Sequence, residues 1–136
     1  MFCGDSIFPE NVLKKHKIPF YVDIDTQRQT LERLKTTDYK IYVPSHGEPF
    51  SDIQQMVDLN VEIILYVENF ILDNLHGRQS TDDIIRMLCD GFNIRLTTLQ
   101  QYYLIKTITM AYLSYLHRKG KVSAIVNENY LVWKLI

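Results

Sequence analysis

Cysteine is scarce in this 136-residue sequence. Cys3 and Cys89 are the whole supply, too few and too far apart for a disulfide framework or a CxxC metal or redox motif. A reduced, cytoplasmic protein is expected. Charge of one sign is missing as well: Lys+Arg 15 against Asp+Glu 16 leaves −1, so no global field draws the molecule to DNA or to an anionic membrane. The longest apolar run, Ile63-Ile64-Leu65-Tyr66-Val67, is closed by Glu62 and Glu68, far short of the ~20 residues of a membrane span. The first residues do not read as a secretory signal, because Asp5 and Glu10 interrupt them and no basic segment precedes an apolar one. No membrane partner is expected.

What is present is the balance of a folded domain, 46% hydrophobic and 23% charged. The length fits one ordinary domain or two very small ones. Charge divides along the chain: residues 1–76 hold 7 Lys and Arg against 12 Asp and Glu, and residues 77–136 hold 8 against 4. A sign change near Gly77 marks a change of unit, and element order places the division at residues 1–60 and 61–136. No internal repeat is present.

The first unit reads strand, helix, strand. Met1-Phe2-Cys3 ends a strand at Gly4-Asp5, and Pro9 opens a short helix through Lys15. Phe20-Tyr21-Val22 reads as a short extended piece. Asp25 is placed to cap a helix over Thr26–Lys35, and Tyr39–Val43 reads as a second strand ended by Pro44. Ser51 or Asp52 caps a helix through Leu59, followed by a strongly periodic helix over Val61–Leu75. Ser80-Thr81-Asp82-Asp83 and Thr97-Thr98-Leu99-Gln100 have the form of capping boxes for two further helices, the second closed by His117-Arg118-Lys119-Gly120. Val122–Val126 and Tyr130–Leu135 flank Asn127-Glu128-Asn129 as a β-hairpin, with Trp133 closing a small core. Helix, helix, helix, hairpin is the order of a winged helix-turn-helix.

Chemistry concentrates at the two strand ends. Gly4-Asp5-Ser6 follows the first strand and Ser45-His46-Gly47 the second, and open α/β folds gather polar residues at such ends. A carboxylate and an imidazole from separate strands suit zinc, iron or manganese. Phe2-Cys3-Gly4-Asp5-Ser6-Ile7-Phe8, Asp23, Leu31–Leu34 and Tyr42-Val43-Pro44-Ser45-His46-Gly47-Glu48-Pro49 together closely resemble the C-terminal half of the metallo-β-lactamase fold. The resemblance implies an α/β (α+β) architecture, the second half of an αββα sandwich, followed by a small winged-helix-like domain with a β-hairpin. It also implies a zinc-dependent hydrolase with two metal ions, Asp5 bridging them and His46 binding the second. Ser45 stands where that family usually has glycine.

One motif is missing. The family's N-terminal half carries HxHxDH, and the four histidines here, His16, His46, His76 and His117, never lie within five positions of one another. Catalytic zinc takes three protein ligands and a water, so Asp5 and His46 alone are expected to leave this polypeptide incompetent as a hydrolase. It then reads as a truncated product, a fragment or one half of a split enzyme. An unpaired half also uncovers Phe2, Phe8, Phe20, Tyr39, Ile41 and Val43, a patch that calls for a homodimer or a complementary N-terminal half.

The competing class is a nucleic-acid- or protein-binding module built on the basic tail. Its long helix offers Gln100, Gln101, Lys106 and Arg118 among aliphatics and tyrosines, a thin supply beside the several phosphate contacts of a DNA binder. His16, His76 and His117 read as solvated or helix-end residues. Cys3 and Cys89 read as buried inert thiols.

Overall fold

Five strands and five helices make up the computed structural model, which describes residues 1–136. In chain order they are β1 (Phe2–Gly4), α1 (Glu10–His16), α2 (Ile24–Lys35), β2 (Val43–Pro44), α3 (Ile53–Asn74), β3 (Gln79–Ser80), α4 (Thr81–Gly91), α5 (Leu99–Arg118), β4 (Val122–Asn127) and β5 (Tyr130–Leu135). The chain forms two compact units: residues 1–19 with 24–66, and residues 20–23 with 67–136, so that α3 begins in one and ends in the other. No helix is long and apolar enough to cross a membrane.

In the first unit β1 and β2 run parallel, with Phe2 beside Val43 and Gly4 beside Pro44. Val43 N–H donates to the Met1 carbonyl at 2.8 Å and Ser45 N–H to the Gly4 carbonyl at 2.9 Å. Pro44 lies between these two donors, at a position where the ladder asks for no N–H, so it continues the strand rather than ending it. The second strand is also shorter than its apolar run suggests. Tyr42 exchanges backbone hydrogen bonds with Phe50 at 2.8 and 3.0 Å, stacks on the Phe50 ring, and accepts Tyr39 N–H on its phenol oxygen at 3.0 Å. Those bonds hold Tyr42 in an isolated antiparallel bridge to Phe50, and residues 39–41 carry no strand. Around them Ile7, Ile24, Leu31, Tyr42, Val57 and Ile64 are fully buried.

Three further expectations are corrected. Asp25 does not cap α2, which already begins at Ile24; Asp25 sits in its first turn, where a carboxylate complements the helix dipole. The helices expected over residues 51–59 and 61–75 are one, because Asn60 continues the helical ladder and its amide donates back to the Met56 carbonyl at 2.8 Å. Residues 20–22 form no strand. Of the apolar residues expected to be uncovered, Phe2, Phe20, Tyr39 and Ile41 are exposed and Val43 is half-buried, whereas Phe8 is buried.

The second unit packs the end of α3, α4, α5 and a three-stranded antiparallel sheet of order β3-β5-β4. Both capping boxes form: Ser80 with Asp83 at α4, and Thr98 with Gln101 at α5. The second falls one residue later than Thr97-Gln100. Glu128 and Asn129 take φ of 49° and 64°, the two left-handed residues of a tight I′-type turn whose twist matches the hairpin. Two residues of β3 pair with Trp133 and Val132, an element too short to leave a periodic trace. Trp133 is buried and donates its indole N–H to the Thr81 hydroxyl at 3.0 Å. The α3–α4 approach depends on Gly91, where an added Cβ would stand 2.1 Å from the Phe70 ring.

Candidate functional site

Parallel pairing puts the C-terminal ends of β1 and β2 side by side, which sequence alone did not show. The turn after β1 carries Asp5, the turn after β2 carries His46, and Asp5 Oδ1 lies 3.5 Å from His46 Nε2. Both side chains are about two-thirds exposed, 67% and 66%, so they form an open pair. Gly4 holds φ of 58° with nothing closer than the Ser45 hydroxyl, 3.8 Å from an added Cβ. Backbone conformation, not crowding, is what requires glycine there.

Each turn is fixed from beneath. Ser6 donates both its N–H and its hydroxyl to the Cys3 carbonyl, and the Gln27 amide donates to the Ser6 carbonyl at 2.8 Å. Beyond them the fully buried Asn60 side chain accepts Phe8 N–H at 3.0 Å and donates to the Phe8 carbonyl at 2.8 Å. A helix side chain thus takes the place of a neighbouring strand for the segment that carries Asp5. The His46 turn rests on the start of α1: a Cβ at Gly47, φ 83°, would stand 3.0 Å from Pro9 Cγ and Val12 Cγ2. Gln27 and Asn60 were not foreseen as site residues. The signal for Asn60 was its position on the buried stripe Val57, Asn60, Ile64, Val67, Ile71, where a lone amide among aliphatics has to find polar partners.

The donor set can be tested against zinc. Zn–O and Zn–N bonds of about 2.0–2.1 Å at a tetrahedral angle separate two ligand atoms by about 3.3 Å, close to the 3.5 Å between Asp5 Oδ1 and His46 Nε2. Two corners fit. No group of three or more His, Cys, Asp or Glu side chains converges anywhere in the chain, so the residues present do not complete a catalytic zinc site. Cys3 does not serve as a third donor: it is buried, its thiol points to the Met1 carbonyl at 3.8 Å, and burial pushes its pKa up, away from the thiolate that metal needs.

The remaining singled-out residues lie elsewhere. His16 and His76 are exposed. His117 meets the Val122 carbonyl through Nδ1 at 3.0 Å and lies edge-on to Trp133. Asp23 pairs with Arg118 at 3.3 Å. Cys89 is buried, with its thiol pKa also pushed up by burial. Tyr112 and Tyr115 belong to the core, while the Tyr102 hydroxyl donates to Asp82.

No protein-family profile and no curated protein matches this sequence. Solved structures do. A β-lactamase domain protein from Burkholderia ambifaria superposes with a TM-score of 0.78 at 15% identity, over 98% of this chain and 40% of that one. A metallo-β-lactamase family protein from Thermus thermophilus superposes with a TM-score of 0.72 at 16% identity, over 99% of this chain and 41% of that one. The fold is therefore the mixed α/β fold of part of a metallo-β-lactamase-type protein, as the sequence resemblance implied. The chain spans about two-fifths of the length of these two structures.

Proposed function

We propose that this metallo-β-lactamase-type fold is the C-terminal half of a metal-dependent hydrolase, with Asp5 and His46 as two ligands of a zinc centre. The remaining ligands come from polypeptide outside the 136 residues described. The observation that carries this reading is the Asp5–His46 pair, 3.5 Å apart at adjoining ends of parallel strands. Zinc held in a complete site supplies Lewis acidity and a bound water of lowered pKa. Toward that site the chain contributes an exposed carboxylate, an exposed imidazole and the hydrogen bonds that fix their turns. It does not contribute enough donors to work alone.

Met1, Phe2, Tyr39 and Ile41 are 42–87% exposed, an amount of apolar surface that supports a complementary N-terminal half as the partner of this unit. The whole protein's substrate is a compound with a hydrolysable ester, thioester, lactam or phosphodiester bond. Zinc titration of the isolated chain followed by calorimetry tests the reading. Weak binding is expected, becoming tight and hydrolytically active when a separate HxHxDH-bearing half is added and lost again in Asp5→Ala or His46→Ala. Tight stoichiometric zinc in the isolated chain would contradict it.

A second reading has its own support. Helix, two-residue strand, two helices and hairpin with strand order β3-β5-β4, and the excess of 8 basic over 4 acidic residues in 77–136, suit a winged-helix-like binding module. The exposed face of α5 carries Leu99, Tyr103 and Leu104, which favours a protein contact over a phosphate backbone. A salt-dependent shift of duplex DNA or RNA would favour nucleic acid instead.

A further inference from the structure

The terminal sheet ends on an unguarded strand. In the order β3-β5-β4, β4 pairs on one side only. Its sequence Val122-Ser123-Ala124-Ile125-Val126-Asn127 has no charge and no proline, although edge strands ordinarily carry such blocking residues. At the opposite edge β3 is only two residues long.

Register shows which backbone groups point away from β5. Asn127 and Tyr130 close a two-residue turn, and Ile136 N–H donates to the Lys121 carbonyl at 3.1 Å. Ser123, Ile125 and Asn127 therefore exchange hydrogen bonds with β5, Lys121 accepts Ile136 N–H while donating its own to the Leu116 carbonyl, and Val122, Ala124 and Val126 face outward. His117 meets the outward carbonyl of Val122. Ala124 and Val126 remain, both exposed, Val126 at 72%.

We propose that this edge of β4 pairs antiparallel with the same edge of a second copy, with Ile125 on the twofold axis. An antiparallel twofold requires opposed residues to share a face, and the outward groups of Ala124 and Val126 are then matched by Val126 and Ala124 of the second copy, each pair exchanging both backbone bonds. Small apolar side chains meet across the seam. The ends also agree: Lys121 precedes the strand and Glu128 follows it, so antiparallel pairing sets opposite charges near each other where parallel pairing would oppose like ones. An isologous contact of this kind closes as a dimer and leaves the joined terminal sheet with only the short β3 edges. It is independent of the metal-site reading, because it uses neither β1 nor the Asp5–His46 turns.

Sedimentation equilibrium of the 136-residue chain, paired with a cysteine trap, tests the proposal. At the axis Ile125 forms a non-hydrogen-bonded pair with itself, whose Cα separation of about 4.5 Å lies within disulfide range. Ile125→Cys is therefore expected to cross-link as a dimer under mild oxidation with copper–phenanthroline, while Cys3 and Cys89 stay buried and unreactive. Ala124→Lys with Val126→Lys opposes like charges in both pairs and is expected to weaken dimerisation by about tenfold or more, with far-UV circular dichroism unchanged. Phe2→Ser, on β1, is expected to leave it unaltered. A monomer throughout the concentration range, a dimer indifferent to the double lysine variant, or a dimer abolished by Phe2→Ser would each overturn the proposal. So would preferential capture of an unrelated extended peptide.

Discussion

Replacing Asn60 by leucine tests whether the Asp5 turn is truly carried by a buried side chain. The Asn60 amide is fully buried and satisfies Phe8 N–H at 3.0 Å and the Phe8 carbonyl at 2.8 Å. Leucine has a similar volume but offers neither a donor nor an acceptor. Two buried backbone groups lose their partners, at about 1–3 kcal/mol each. The Met56 carbonyl loses only the side-chain half of its bonding. The expected destabilisation is about 2–5 kcal/mol, offset in part by the apolar gain of leucine among Val57 and Ile64. Urea unfolding followed by far-UV circular dichroism measures it. Asn60→Asp adds a sign: it keeps the acceptor for Phe8 N–H, has a donor for the Phe8 carbonyl only when protonated, and burial raises the new carboxyl's pKa. Its folded state then binds a proton the unfolded state has released, so Asn60→Asp is more stable at pH 5 than at pH 7. A leucine variant within about 0.5 kcal/mol of the parent would show that the turn does not need this anchor.

Three more outcomes follow from local geometry. Gly91→Ala drives a methyl into the Phe70 ring, 2.1 Å from the Cβ position, and should cost about 1–3 kcal/mol; adding Phe70→Leu should recover much of it in a double-mutant cycle. Asp83 accepts the Ser80 hydroxyl and N–H, which hold its carboxyl below the usual range. That contribution is complete above the unfolded carboxyl pKa of about 3.9 and lost as pH falls through the folded value, so Asp83→Asn should narrow the gap between urea midpoints at pH 7 and pH 3. Burial pushes the Tyr21 phenol up from its ordinary value, so stability is complete below about pH 10 and falls as pH rises beyond it; Tyr21→Phe should flatten the alkaline limb of a pH titration of melting temperature.

The candidate ligands were legible because their chemistry is carried by residue type: an aspartate after Gly4 and a histidine in a turn bounded by Pro44 and Pro49. Their meeting was not. It depends on the parallel register that aligns Gly4 with Pro44, and two- or three-residue strands leave no alternation from which to read a register. The helices behaved differently. Capping boxes at Ser80 and Thr98 and the Glu128-Asn129 turn are local chemistry, and they form within a residue of where they were expected. The expected break between residues 59 and 61 does not occur, because Asn60, a polar residue on an apolar stripe, is a buried contact within one continuous helix.

The buried Asn60 contact bears on the candidate site. A turn bearing a metal ligand has to hold its carboxylate in place while leaving it open to the ion and to whatever supplies the remaining donors. Here the two demands are met by different residues. Asp5 and His46 stay about two-thirds exposed, while Ser6, Gln27 and Asn60 restrain the backbone between Gly4 and Pro9 from the inner side. Under the proposed reading, rigidity located one layer beneath the two candidate ligands would lower the ordering cost of binding without covering them. If so, Gln27→Ala should weaken zinc binding in the reconstituted two-part protein while leaving Asp5 and His46 intact, and raised crystallographic or NMR mobility should be confined to residues 5–8. Unchanged affinity with unchanged mobility would mean that the turn is held by its own backbone alone.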